Sequence, residues 1–161
     1  MKRLGFLRYV FTAPSDFVAV LIVLFIRAAW GAKLSRESGC LVVDLDPKSW
    51  PMRTWYRGWG GTTFGHAIML APLDPARRAE VMHHELVHVE QIEGHALMAL
   101  AYAIPIAVTW HPIAGLVAWS VSSWISYWSA GVVAVLRGES FYHGNTNEEA
   151  AYAQTPGEGK R

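Results

Sequence analysis

From residue 96 to residue 136 the chain runs 41 positions without an Asp, Glu, Lys or Arg. A charge-free run of that length normally lies against lipid; the alternative is a hairpin buried in the core of a soluble domain. Trp110-His111-Pro112, with Gly115 close by, is the natural break, because proline ends one helix and can open the next. The run therefore reads as two apolar helices joined by a turn. In the second, Ser120, Ser123 and Tyr127 recur at helical spacing. They form a weakly polar stripe suited to facing another helix.

The remainder of the 161 residues suffices for one domain with a modest core. Net charge is +1 and only 17% of residues are charged, so no basic footprint suggests nucleic acid. Cys40 is the only cysteine, which excludes an internal disulfide and any multi-cysteine metal site. Lys2, Arg3 and Arg8 precede Pro14, a Ser15 or Asp16 cap, and the apolar run Phe17 to Ile26. Residues 1–32 are read as an uncleaved apolar helix in contact with a membrane, with a signal peptide or a core helix as alternatives.

Residues 33–95 read as strands followed by a helix. Cys40 to Leu45 is a strand ending at Asp46-Pro47, and a loop rich in Trp and Arg follows. Thr62 to Ala71 reads as a second strand, broken by Pro72. A helix then opens at Asp74, a good cap with proline next.

That helix carries Val81 to Gln91, VMHHELVHVEQ. His84 and His88 lie one turn apart, so both imidazoles can address one metal ion. Glu85 is rotated away from them, placed to act on water as a general base rather than as a ligand. This is the donor pattern of a catalytic zinc site, which takes a third protein ligand and keeps one position open. His83, His95 and His111 read as a solvated neighbour, a helix-face residue and a turn residue.

The tail, residues 137–154, supplies Asn147-Glu148-Glu149-Ala150-Ala151-Tyr152. His84-Glu85-x-x-His88 with this downstream Asn147-Glu148-x-x-Ala151 resembles the gluzincin metallopeptidases. The resemblance implies Glu148 as third ligand, with Glu149 as its rival. It implies a peptide or protein substrate laid along the strand 62–71, with His66 an ordinary strand residue. Tyr142 or His143 would be the oxyanion donor. Tyr152 stands where that family has an aspartate. Gln91 and Phe64-Gly65-His66 are similar to compact bacterial and phage proteins with HExxHxxQ.

The fold expected is mainly α with a small β-sheet (α+β): a zincin-like metal helix, the apolar hairpin of residues 96–136, and a short second metal helix. Residues 155–161 are expected to be a disordered tail. The expected function is that of a membrane-associated zinc-dependent peptidase. Two other readings compete with it. Ser38-Gly39-Cys40-Leu41 faintly resembles peptide deformylase, with Cys40 as a ligand. A membrane scaffold or lysis-type protein with a structural metal would use the hairpin alone.

One constraint follows from the ligand order. His84 and His88 must meet Glu148 across the hairpin, so the hairpin leaves and returns on one side. Eight Lys and Arg lie between residues 27 and 95 and none in the hairpin turn, which favours a cytoplasmic site. Lys2, Arg3 and Arg8 want the same side, so the first helix is expected to be re-entrant or interfacial, or the topology inverts.

Overall fold

Five helices and one four-stranded sheet make up the described residues, 6–54 and 56–155, of a computed structural model. The architecture is mainly helical with a small mixed sheet, as the sequence led us to expect.

Helix α1 spans Leu7–Trp30 and starts seven residues before Pro14. Ser15 and Asp16 do not cap it, because both are engaged by distant partners. Ser15 Oγ donates to Ser120 O at 3.0 Å, and Asp16 Oδ1 accepts from His66 N at 2.7 Å. Thr12, Ser15, Ala19, Val23 and Ile26 form the buried stripe of α1. Its lower part packs on the sheet beside Val43, Ala67 and Met69. The opposite stripe, including Phe17, Leu21, Leu24 and Phe25, is exposed.

Strand β1 (Lys33–Glu37) pairs antiparallel with β2 (Cys40–Asp44). Ser38 and Gly39 between them have φ of 50° and 82°, the left-handed pair a tight hairpin requires. The single strand expected over residues 62–71 is instead a hairpin, β3 (Gly61–Phe64) and β4 (Ala67–Leu70). Gly65, with φ of 57°, turns the chain. The sheet order β1-β2-β4-β3 places β4 inside, parallel to β2, and leaves β3 as an edge. All four β4 residues are buried, which explains their unbroken apolar character.

Helix α3 runs 35 residues, Pro75–Thr109, after the short α2 (Trp50–Arg53). Asp74 caps it by accepting from Ala76 N and Arg77 N, both at 3.0 Å. The expected boundary at 95/96 does not exist: the metal helix continues directly into the first arm of the hairpin. The turn falls where proline and histidine place it. α3 ends at Thr109, and His111 Nδ1 accepts from Ile113 N at the start of α4 (Pro112–Leu136).

The hairpin is built with small residues inside and large apolar ones outside. Ala96, Ala99 and Ala103 of α3 and Gly115, Ser122 and Ser123 of α4 are buried. Leu97, Met98, Ile104, Ile113, Leu116 and Ile125 are exposed. A β-carbon at Gly115 would come within 2.6 Å of Ala103 O, so the two backbones touch. Helix α5 (Thr146–Gln154) is capped by Asn145, whose Oδ1 accepts from Asn147 N. Asn145 Nδ2 also donates to Tyr127 O, fastening α5 to α4. Thr155, expected to begin the disordered tail, is buried and bonds to Ala151 O; residues 156–161, Lys2 and Arg3 lie outside the described residues.

Candidate metal centre

Three helices bring His84, His88 and Glu148 together. α3 provides both histidines one turn apart, α5 provides the glutamate, and α4 closes the far side with Tyr127. His84 Nε2 and His88 Nε2 are 3.1 Å apart. Glu148 Oε2 is 3.2 Å from His84 Nε2, and Glu148 Oε1 is 3.4 Å from His88 Nε2. Among the described residues this is the His, Cys, Asp and Glu group able to hold a metal ion. Glu149 is exposed on the other side of α5 and takes no part. Cys40 lies in the core cluster with Val42, Ile68 and Val89. It is not in the group, so a deformylase-like cysteine ligand has no structural counterpart here.

The tautomer of His88 can be argued from its neighbour. Gln91 faces Asn147 O at 2.8 Å, and a carbonyl only accepts, so the amide nitrogen of Gln91 must point there. Gln91 Oε1 then faces His88 Nδ1 at 2.8 Å and must receive its proton. The lone pair of a neutral His88 is therefore on Nε2, directed at the centre. Gln91 thus orients a ligand and ties α3 to α5 in one side chain. Tyr127 OH donates to Glu148 Oε1 at 2.8 Å and orients the third ligand from α4. Tyr152, which stands where the resembled family has an aspartate, packs against His84 with ring centroids 4.7 Å apart and planes tilted by 53°. The half-buried ring helps to hold that imidazole in place.

Glu85 points away from the ligands, toward the edge strand. Thr63 Oγ1 donates to Glu85 Oε2 at 2.7 Å. A β-carbon at Gly61 would lie 2.6 Å from Glu85 Oε1, so glycine is what lets the strand pass this carboxylate. Burial raises the Glu85 carboxyl above its ordinary range, against the pull of His88 and Thr63. Burial also works against Glu148, but hydrogen bonds from His84 and His88 hold its carboxyl well below the usual range. The same carboxylate raises His88 despite burial. Glu148 is therefore an anion facing two imidazoles.

The centre opens into a cavity of about 260 Å³ between β3 and α4, floored by Glu85, His88 and Glu148. Tyr142 lines it, and its hydroxyl has Tyr152 OH at 3.3 Å. Burial and the Glu148 charge keep that phenol protonated. His143, the other expected donor, is exposed and does not line the cavity. Sequence reasoning assigned Tyr127 to helix packing and missed its contact with Glu148. Its place in the serine stripe was the available signal. Thr63 carried none beyond lying on the strand before the motif. No family model, curated protein or solved structure matches this chain.

Proposed function

We propose that this protein is a membrane-associated zinc-dependent hydrolase whose substrate bond is a peptide amide. The spacing of the three ligands carries the reading. Donors about 2.0–2.1 Å from a tetrahedral centre sit roughly 3.3 Å apart; the two imidazole nitrogens are 3.1 Å apart, and the Glu148 carboxylate straddles them, 3.2 Å from His84 through Oε2 and 3.4 Å from His88 through Oε1. Two imidazoles and one carboxylate suit zinc, and three protein ligands leave the open position of a catalytic site where a structural site would have four. A buried carboxylate held by Thr63 beside a cavity has no use in a scaffold, which argues against a structural metal.

Zinc held there would supply a Lewis acid, lowering the pKa of water to about 7. Glu85 would take a proton from the attacking water as its oxygen adds to the peptide carbonyl, and return it to the nitrogen as the C–N bond breaks. Tyr142 and Tyr127, both on the cavity wall, are the hydroxyls available to a developing oxyanion.

The membrane part of the reading rests on inverted packing. Helices α1 and α3 are long and apolar enough to cross a membrane, and only 17% of the most apolar window of α3 is buried. A soluble core helix would be mostly buried. Small residues inside and large apolar residues outside are the arrangement of helices that meet in lipid. Helix α1 packs on the sheet and on α3 and α4, which supports an interfacial helix on the same side as the site.

The test is zinc content and hydrolysis in one series. Glu85→Gln should keep about one zinc and lose about 10²- to 10⁴-fold in rate. His84→Ala and His88→Ala should lose the metal. Full zinc in both histidine variants would remove the centre, and undiminished hydrolysis in Glu85→Gln would remove the mechanism.

A further inference from the structure

We infer that the substrate is an internal stretch of a membrane-anchored polypeptide, cleaved next to a bulky apolar residue where it emerges at the lipid surface. This rests on the hydrolase reading above and specifies its substrate class.

The cavity walls set the side chain. Phe64 of the edge strand, Ile92 of α3 and Trp124 and Trp128 of α4 line it. Phe64 and Trp124 pack on each other, ring centroids 5.6 Å apart, and form one continuous apolar wall. At about 260 Å³ the space is smaller than the roughly 300–1,000 Å³ of a site for a whole small ligand. It suits one large side chain on an extended backbone. The unpaired edge of β3 can take that backbone as an added strand. Ser123 supplies an unsatisfied group: it is 5% exposed, lines the cavity, and its Oγ has no hydrogen-bond partner among the described residues. A buried hydroxyl of this kind awaits a ligand or water.

The charges decide between an end and an interior. A peptidase that reads a carboxyl terminus needs a cation, and among the described residues no Lys or Arg lines the cavity. One that reads an amino terminus needs an acid to spare. Among the described residues the acids lining it are Glu85 and Glu148, which the proposed mechanism commits to base and ligand. Neither terminus has a partner, so the bond cut is internal.

Location decides the anchor. Trp124 and Trp128 line the cavity and are also 38% and 60% exposed, on the outward face continuous with Val117, Val121 and Ile125 of α4. Tryptophan at such a border is the residue of the membrane–water interface. With a rise of 1.5 Å per residue, a hydrocarbon layer of about 30 Å covers some 20 residues of each arm. Counted from the turn at Trp110–His111, its far boundary comes level with the metal site. By the same count Trp124 and Trp128 stand about 20 and 26 Å from the turn, so the cavity opens just beneath that boundary, within reach of chain leaving the bilayer and away from bulk solution.

The experiment uses full-length zinc-loaded protein in vesicles of phosphatidylcholine and phosphatidylglycerol. The probe is an N-acetylated, C-amidated peptide with Phe, Ala or Asp at one central position, either free or fused to an apolar spanning helix in the same vesicles. Wild type should cleave the anchored Phe peptide about 10- to 200-fold faster than the Ala peptide, and the Asp peptide slowest. Both ends being blocked should not matter. Trp124→Ala should erode the Phe preference, with a smaller effect on the Ala peptide. Binding to the Glu85→Gln variant, read by cross-linking, should follow the same order and separates the two proposals. Ordered binding without any hydrolysis by wild type would sink the hydrolase reading alone. Hydrolysis lost in Glu85→Gln but indifferent to the central residue, dependent on a free terminus, or equal for anchored and free peptides would overturn this inference alone.

Discussion

Gln91 shows how much of the candidate metal centre is decided by side chains outside it. It bridges His88 and the backbone of Asn147, so its loss frees both the imidazole and α5. Replacing such an outer partner generally costs 10- to 100-fold in metal affinity. Gln91→Leu should weaken zinc binding by about that factor, measurable by competition with a chelator; unchanged affinity would mean the bridge is incidental. Gly61 makes the same point for the base. With Oε1 of Glu85 only 2.6 Å from where its β-carbon would stand, Gly61→Ala must displace the carboxylate. A misplacement near 1 Å can cost about 100-fold in rate. We expect kcat to fall by at least about that much with zinc retained, and a variant with normal kcat would refute the packing argument. His84, Glu85 and His88 were legible from spacing alone, because a helix puts residues four apart on one face. The choice of Glu148 over Glu149 was not, since adjacent residues on a helix point about 100° apart and either could have faced inward.

Among the elements, the hairpin was the most legible and the strands the least. Forty-one residues without charge admit few structures, and the turn at His111-Pro112 lies where proline dictates. The same pattern could not say that α3 would carry the metal ligands and the hairpin arm as one rod, because a helix needs no signal to continue. Residues 62–71 misled because a run of β-formers does not reveal its own reversal; Gly65, with its left-handed φ, was the clue. β1 went unseen because Lys33-Leu34-Ser35-Arg36-Glu37 is polar, as suits an edge strand. The exposed face of α4 has a direct test. Val117 is 54% exposed, and Arg at the centre of a lipid-facing helix costs about 2.5–3.5 kcal/mol of insertion. Val117→Arg should move the protein out of the membrane fraction or lead to its degradation. Wild-type protein that is wholly soluble, monomeric and active without detergent would mean that the outer face is not lipid-facing.

At the scale of the whole molecule, α1, the sheet and α3 are joined by a buried polar cluster around His66. Its Nδ1 lies 2.9 Å from Asp16 Oδ2 and its Nε2 3.0 Å from Glu93 Oε1; Arg8 stands 3.8 Å from Glu93, and the Tyr9 ring packs alongside. Burial pushes the imidazole down, but the two carboxylates outweigh it and raise it above its ordinary value near 6.5. A group raised on folding stabilises fully below its unfolded pKa, and the contribution is lost as pH rises through the folded value. His66→Gln should therefore lower Tm most in mildly acid buffer, with the gap narrowing as pH rises; a gap that widens with pH would contradict the charged cluster. His66 had been read as an ordinary strand residue, and nothing within residues 62–71 announces partners 50 residues before it and 27 after. The division is general in this protein. Local spacing and composition determined the helix that bears His84 and His88, its cap and the hairpin, because helical periodicity and solvation act over a few residues. Tertiary structure decided between Glu148 and its rival Glu149, and it alone showed which tyrosine holds the carboxylate and which strand edge shelters Glu85. Those depend on where separately encoded elements meet, and no local pattern carries that distance.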